Sequence, residues 1–139
     1  MENPNRKARI IETLSKCEGF GDPESYYVTL LELRNSFIKD ENKQFFCQVL
    51  EALGSDDRLL ILDSLKQKDR CVCELEAILD KAQPSVSHHI KVLEDAGLIK
   101  GWKKGKFTHY SLVKRTFDRL ATFLGQWLGE VDNWFGNKE

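Results

Sequence analysis

The sequence lacks the long apolar segment and the leader pattern that mark membrane and exported proteins. No run within its 139 residues approaches the roughly 20 apolar residues that a transmembrane helix needs. The N-terminal stretch, MENPNRKARIIETL, is charged and amphipathic and has no signal-peptide pattern. We therefore expect a cytoplasmic protein that does not associate with membranes.

Signals of catalysis are missing too. The chain shows no glycine-rich loop, no carboxylate pair and no plausible nucleophilic triad, so we expect it not to be an enzyme. An enzyme that uses Cys and His as nucleophile and base is the alternative with the least support. The net charge is only −1, but DNA binding depends on a local stripe of cations rather than on the total charge.

What is present is a series of helical patterns. Residues 1–40 are expected to form a helical N-terminal extension, broken at Gly19–Pro23, where two glycines and a proline favour a turn. Residues 41–135 have enough apolar positions for one domain with its own core. Within it, Gly54 ends a short amphipathic helix, and Ser55 is a good N-cap for the next one.

The segment Ala82–Asp95 is the strongest single indication of function. Its apolar side as a helix is formed by Val86, Ile90 and Leu93. The other side and the leading end carry short polar groups and a cation: Gln83, Ser85, Ser87, His88 and Lys91. This pattern suits a recognition helix in the DNA major groove, although a surface helix with a polar outer face is the alternative. His89 lies at the edge of the apolar stripe and is expected to pack or hydrogen-bond rather than contact DNA.

A basic hairpin is predicted directly after this helix. Residues 98–102 and 106–112 have strand patterns, and Lys103–Gly105 is a candidate tight turn. The lysines at its tip, Lys103, Lys104 and Lys106, are placed to follow the phosphate backbone. Taken alone, they also fit a solvated turn, but their position after a recognition-type helix favours the DNA interpretation.

The order of these elements predicts the fold class. Helix, helix, turn, helix and basic hairpin make a winged helix-turn-helix, mainly α with a small β-hairpin wing. A long final helix from about Lys114 to Phe135 repeats apolar residues at three- and four-residue spacing. We expect it to form the seam of a homodimer, which would present two recognition helices to a two-fold operator. An intramolecular core is the alternative.

Cys71 and Cys73 are the second chemical signal. Four cysteines in a chain without an export signal are expected to be reduced thiols. Inside a regular helix, two residues separated by one other diverge by about 200°, but at a helix start both sulfurs can converge on one soft ion. The helix N-terminus should also lower their pKa values. A third ligand must come from elsewhere: Cys17 is the better candidate, because Cys47 is expected to be a small buried hydrophobe.

Together these residues resemble the ArsR/SmtB family of winged-helix transcriptional repressors. The resemblance covers about residues 44–131. Its carriers are Leu53–Leu62, Cys71–Leu75, Gln83–Leu93, Ala96–Ile99 and Gly105–Leu112. It implies a homodimer that binds double-stranded operator DNA without a cofactor and releases it when an inducer binds. In the family, the Cys-Val-Cys-(Asp/Glu)-Leu segment carries an inducer site for a thiophilic metal or metalloid such as arsenite, cadmium or lead.

The chain departs from the family in two places. Arsenite-responsive members often have a third cysteine three residues after the pair, where this chain has Glu76. The zinc-type site on the last helix uses carboxylates and histidines, and the only histidine near it is His109, in the wing, so we expect that site to be absent. A redox or reactive-sulfur sensor using the same cysteines and a constitutive DNA-binding regulator therefore remain alternatives.

Overall fold

The computed structural model describes residues 3–138, which divide into two compact units, one up to Gln44 and one from Phe45 onward. The first two residues of the predicted extension lie outside this range. The helices are α1 Pro4–Ser15, α2 Pro23–Lys39, α3 Glu41–Leu53, α4 Asp56–Leu65, α5 Val72–Leu79, α6 Gln83–Asp95 and α7 Lys114–Gly136. The strands are β1 Arg70–Cys71, β2 Ile99–Lys104 and β3 Phe107–Leu112. None of the helices within residues 3–138 is both long enough and apolar enough to cross a membrane.

The first unit contains α1 and α2, separated by the break predicted around Gly19–Pro23. Gly19 and Gly21 both have positive φ, 94° and 70°, a conformation that glycine adopts without steric cost. Asp22 caps α2 by accepting the Ser25 backbone N–H at 3.0 Å. Only Asp40 separates the end of α2 from the start of α3.

The core of the second unit is built from α3 to α6 and from the residues that lead into the sheet. Its fully buried side chains are Val49, Ile61, Leu75, Val86, Leu93 and Leu98. Burying an aliphatic side chain of this size contributes about 1.5–3 kcal/mol, so this cluster fixes how α5 and α6 pack. The sequence-predicted apolar side of α6 is confirmed, since all three of its residues are buried.

Helices α5 and α6 form a helix-turn-helix. Asp80, the residue after α5, is in the left-handed region with φ 52° and ψ 46°. Aspartate tolerates this conformation better than most residues that carry a Cβ. Pro84 lies in the first turn of α6, and Gly97, with φ 75°, follows its C-cap, as the sequence predicts.

The sheet has three antiparallel strands in the order β1-β3-β2. The hairpin of β2 and β3, called the wing below, is confirmed, but its turn is shorter than predicted. Lys103 and Lys104 belong to β2, where they pair with Thr108 and Phe107. Only Gly105, with φ 64°, and Lys106 connect the strands. The two-residue strand β1 was not predicted, because so short a strand has no readable alternation.

Helix α7 packs at its start and is exposed towards its end. Phe117 and Leu120 pack against the core, and the Phe123 ring lies 4.5 Å from the Phe46 ring. Its later apolar residues are about half exposed: Trp127, Leu128, Trp134 and Phe135.

Candidate DNA-binding surface and cysteine pair

Helix α6 carries five of the eight residues that the sequence assigned to DNA contact, and all five are exposed. They are Gln83, Ser85, Ser87, His88 and Lys91. Lys91 forms a 3.4 Å ion pair with Asp95 one turn further on. Such exposed pairs contribute little, so this one does not prevent Lys91 from exchanging its partner for a phosphate.

His89 is held in place from the inner edge of α6, as expected. Its Nδ1 lies 3.1 Å from Arg58 Nη1, and its Nε2 lies 3.4 Å from Asp57 Oδ2. Because a guanidinium only donates, Nδ1 accepts and Nε2 carries the proton towards Asp57. Arg58 was missed by sequence reasoning, and no local pattern could have identified it, since its partners lie in other helices.

The wing adds a basic surface with aromatic residues. Lys103, Lys104 and Lys106 are exposed, and neighbouring strand residues alternate between faces, so Lys103 and Lys104 point to opposite sides. On the Lys104 side, Trp102 stacks on His109 with ring centroids 5.1 Å apart. Trp102 Nε1 also donates to Ser111 Oγ at 2.7 Å. These cross-strand contacts stiffen the hairpin, and sequence reasoning did not identify them.

The two cysteines of the pair face each other at the start of α5. Cys71 is the N-cap residue, Cys73 lies in the first turn, and their sulfurs are 2.7 Å apart. Cys71 is buried, whereas Cys73 is exposed to solvent. The predicted convergence of the two sulfurs at a helix start is therefore confirmed.

Glu74 secures this helix start. Its Oε1 accepts the Cys71 backbone N–H at 3.2 Å, and its Oε2 lies 3.2 Å from Arg70 Nη1. The hydrogen bond from the Cys71 N–H lowers the pKa of the Glu74 carboxyl, and the cations of Arg70 and Lys68 lower it further. Glu74 therefore remains ionised at pH values at which an ordinary glutamate is already partly protonated.

The expectation that the helix N-terminus lowers the pKa of both thiols is wrong for Cys73. The hydrogen bond with the Cys71 sulfur, and then burial and the neighbouring negative charge, raise the pKa of Cys73 from its ordinary value of 9.0. Backbone N–H groups at the helix start act in the opposite direction but do not compensate. The contact between the two sulfurs therefore disfavours the thiolate form of Cys73.

The sulfurs of Cys71 and Cys73 would supply two of the ligands of a soft-metal site. Two sulfurs that bind one ion at about 2.3 Å in tetrahedral geometry stand about 3.7 Å apart, so this pair would open by about 1 Å. Within residues 3–138, no group of three or more His, Cys, Asp and Glu side chains is already arranged to hold an ion. Cys17 is exposed in the first unit. Cys47 is exposed as well, which corrects the expectation that it is buried, because Phe46, Val49 and Ala52 fill the inner face of α3.

Comparisons with known proteins identify the family. Residues 55–100, which span α4, β1, α5 and α6, match the sequence model of the "Bacterial regulatory protein, arsR family". An uncharacterized HTH-type transcriptional regulator of Methanocaldococcus jannaschii is 37% identical over 67 residues, which are 48% of this chain and 75% of that protein. The chain belongs to the ArsR family.

Two further relatives have more specific names. The arsenical resistance operon repressor of Escherichia coli is 38% identical over 85 residues, covering 60% of this chain and 66% of that protein. A cadmium resistance transcriptional regulatory protein CadC homolog of Staphylococcus aureus is 33% identical over 76 residues, 54% of this chain and 63% of that protein. The match thus spans slightly less than two thirds of the length of each of these two proteins.

Solved ArsR-family structures confirm the winged helix-turn-helix fold. An ArsR family transcriptional regulator superposes with a TM-score of 0.58 at 27% identity, covering 64% of this chain and 92% of that one. The homodimeric winged helix-turn-helix domain of a possible ArsR-family regulator from Mycobacterium bovis gives a TM-score of 0.51 at 20% identity, over 71% and 93% of the two chains. At that identity the second likeness concerns the fold alone.

Proposed function

We propose that this protein is a DNA-binding transcriptional repressor of the cytoplasm that leaves its operator when Cys71 and Cys73 bind a thiophilic metal or metalloid ion. The observation that carries the proposal is the position of the two facing sulfurs, 2.7 Å apart at the start of α5, the helix that immediately precedes the recognition helix. The names of the arsenic- and cadmium-resistance relatives support the same class of inducer.

Helix α6 and the wing would make different contacts with DNA. Gln83, Ser85, Ser87 and His88 stand at the N-terminal half of α6, where short donors and acceptors reach base edges in the major groove. Lys91 and the wing lysines supply phosphate contacts, which position the protein without reading sequence. Binding needs no cofactor, because every one of these groups is carried by the chain itself.

The proposal includes a homodimer formed through α7. The half-exposed residues Trp127, Leu128, Trp134 and Phe135 are large apolar side chains of the kind enriched in the buried centres of interfaces. A two-fold pair would present two α6 helices to half-sites about 34 Å apart. The homodimeric state of the Mycobacterium bovis domain is consistent with this arrangement. As predicted from sequence, we assign DNA binding and dimerisation to residues 41–135 and leave residues 1–40 as an extension whose Cys17 is the candidate third sulfur donor.

Regulation would begin at the helix start of α5. Cys71 and Cys73 would hold a soft ion as thiolates, releasing their protons to water, and the ion would act as a Lewis acid shared by both sulfurs. To accept it, Cys71 and Cys73 must separate by about 1 Å. Leu75 and Leu79 of α5 pack in the same core as Val86 and Ile90 of α6, so a shift of α5 is transmitted to the recognition helix. A coupling of roughly 1–3 kcal/mol between the two sites is enough to lower operator occupancy substantially.

Facing thiols also favour a second candidate, a redox sensor. Oxidation by hydrogen peroxide would remove two protons and two electrons from Cys71 and Cys73, forming one disulfide and two molecules of water. The close approach of the sulfurs suits this reaction as well as it suits a shared ion. Intact-mass measurement separates the two, because a disulfide lowers the mass by two hydrogens and a bound ion raises it.

The decisive experiment is a release assay. A duplex selected from a random pool by the metal-free protein is titrated with arsenite, cadmium and lead under reducing conditions, and then with peroxide alone. We expect release by at least one ion, loss of that response in Cys71→Ser/Cys73→Ser protein, and retention of it in the matched control Cys47→Ser. If the ions also release the Cys71→Ser/Cys73→Ser protein from the duplex, the assignment of the inducer site is wrong. Release of the wild type by peroxide alone would favour the redox sensor, and a wild type that stays bound under every condition would favour a constitutive regulator.

A further inference from the structure

Three side chains form a row across the sheet, one from each strand. Cys71 of β1 is directly opposite His109 of β3, and His109 is directly opposite Trp102 of β2. Residues directly opposite in an antiparallel pair have their side chains on the same face, with Cβ atoms about 4.5–5.5 Å apart. The buried sulfur of the cysteine pair and the imidazole of His109 are therefore neighbours on one face of the sheet.

We propose that His109 is a nitrogen ligand of the site formed by Cys71 and Cys73, so that the site prefers divalent ions of the zinc and cadmium class. This deepens the proposed function, on which it rests, by naming a ligand and the class of ion. An imidazole suits zinc-like ions, whereas arsenite bonds to sulfur and gains nothing from a nitrogen donor.

The distance across the strands suits this role. A sulfur and an imidazole nitrogen that share one zinc-like ion stand about 3.5 Å apart. Each of these atoms extends beyond its Cβ, so a Cβ separation of about 5 Å lets both reach one ion after rotation of the His109 side chain. In the present conformation the imidazole stacks on Trp102 with ring centroids 5.1 Å apart, which is why the three donors do not yet converge.

The other polar groups nearby already have partners. Glu74 accepts the Cys71 backbone N–H and pairs with Arg70. The Ser111 hydroxyl accepts the indole N–H of Trp102. The other two histidines, His88 and His89, lie on α6, where His89 is held by Arg58. His109 is half-buried and is thus the imidazole that the fold places beside the cysteine pair.

Such a ligand would extend the inducer site into the wing. His109 belongs to β3, and its ring supports Trp102 of β2. Turning the imidazole towards Cys71 would break that stack and release the indole in the hairpin that carries Lys104 and Lys106. Metal binding would then act on the wing directly, in addition to any movement of α5 and α6.

The test uses the full-length reduced protein and cadmium ions. Cadmium affinity is measured by competition with a chelator, and cadmium NMR detects scalar coupling to the imidazole protons of His109. We expect coupling in the wild type and an affinity about 10- to 100-fold lower in His109→Gln, while arsenite affinity stays unchanged. His109→Cys, which replaces one soft donor by another, should restore cadmium affinity. His88→Gln is the matched control and should bind cadmium like the wild type.

The outcomes separate this inference from the proposed function. If His109→Gln and the wild type bind cadmium equally and no coupling to the imidazole is seen, His109 is not a ligand, and release of DNA through the cysteines is unaffected. If coupling to His109 is observed but neither cadmium nor arsenite nor lead releases the wild type from DNA, His109 is a metal ligand and the proposed ion-dependent release from the operator is wrong. Should His109→Gln fold poorly, judged by circular dichroism, the coupling in the wild type and the affinity of His109→Cys still decide the question.

Discussion

Arg58 donates a hydrogen bond from Nη1 to Nδ1 of His89 at 3.1 Å, connecting the start of α4 with the recognition helix. The same guanidinium donates to the carbonyl of Ala52 at 2.7 Å and to that of Glu51 at 3.2 Å. These two carbonyls belong to the last turn of α3, where helical carbonyls have no partner within the helix. One side chain thus caps α3 and fixes the inner edge of α6.

Arg58→Ala should destabilise the second unit by about 2–4 kcal/mol, because it leaves the partly buried Ala52 carbonyl and the His89 nitrogen without their donor, whereas the exposed Glu51 carbonyl keeps the Gly54 N–H. Denaturant unfolding followed by circular dichroism measures the loss. Arg115→Ala, which removes an exposed arginine at the start of α7, is the control and should change stability by less than about 0.5 kcal/mol. Equal effects of the two variants would contradict the role given to Arg58.

Lys104→Ala/Lys106→Ala should weaken binding to duplex DNA uniformly across sequences. If both ammonium groups contact phosphates, the slope of log affinity against log salt falls by roughly 2, since each contact contributes about 0.9. A salt titration with a fluorescent duplex of random sequence measures the slope. Lys66→Ala, at the C-cap of α4, serves as the control and should keep the wild-type slope. If the double variant keeps the wild-type slope of log affinity against log salt, Lys104 and Lys106 of the wing do not contact the DNA phosphates.

Trp127→Ala/Leu128→Ala should convert a dimer into monomers without unfolding the chain. The side chains are 46% and 50% exposed in the single chain, so their loss costs little within one subunit. At an interface centre each would contribute about 2 kcal/mol or more, so the double substitution raises the dimer dissociation constant by roughly 700-fold or more. Analytical ultracentrifugation reports the change, and Gln126→Ala is the matched control. A double variant that remains dimeric would place the seam elsewhere.

Cys71→Ala should make Cys73 more reactive rather than less. Because hydrogen bonding to the Cys71 sulfur raises the pKa of Cys73, its removal returns the pKa towards 9.0 and increases the thiolate fraction at mildly alkaline pH. Alkylation by iodoacetamide, followed by peptide mass spectrometry, should show a severalfold faster reaction at Cys73. Cys17 and Cys47 provide internal controls in the same digest. A slower reaction at Cys73 would mean that the Cys71 sulfur does not raise the pKa of Cys73.

The sequence was most informative where structure is encoded locally. Pro84 and Gly97 mark the first turn and the end of α6, because each residue type fits a backbone conformation needed at that position. The position of Cys71 just outside the first turn of α5 likewise follows from short-range spacing, and it was enough to predict that the sulfurs meet.

What could not be predicted depends on contacts between distant segments. Strand β1 exists only because Arg70 and Cys71 find partners in β3, about forty residues later, and two residues have no periodicity of their own. Cys47 was expected to be buried because of its apolar neighbours, but it lies about 100° around the helix from Phe46, on the outer side of α3. The roles of Arg58 and His109 depend on the same kind of long-range pairing.

The left-handed conformation of Asp80 also has a practical consequence for protein engineering. With φ 52° it is the residue at which the chain changes direction between α5 and α6, and β-branched side chains are strongly disfavoured there. A chimaera that takes its DNA specificity from another regulator should therefore be joined after Asp80. The native residue at this turn is then retained, and the recognition helix α6 and the wing are replaced. Such a chimaera must also keep apolar residues at Val86, Ile90 and Leu93, which pack in the same core as α5.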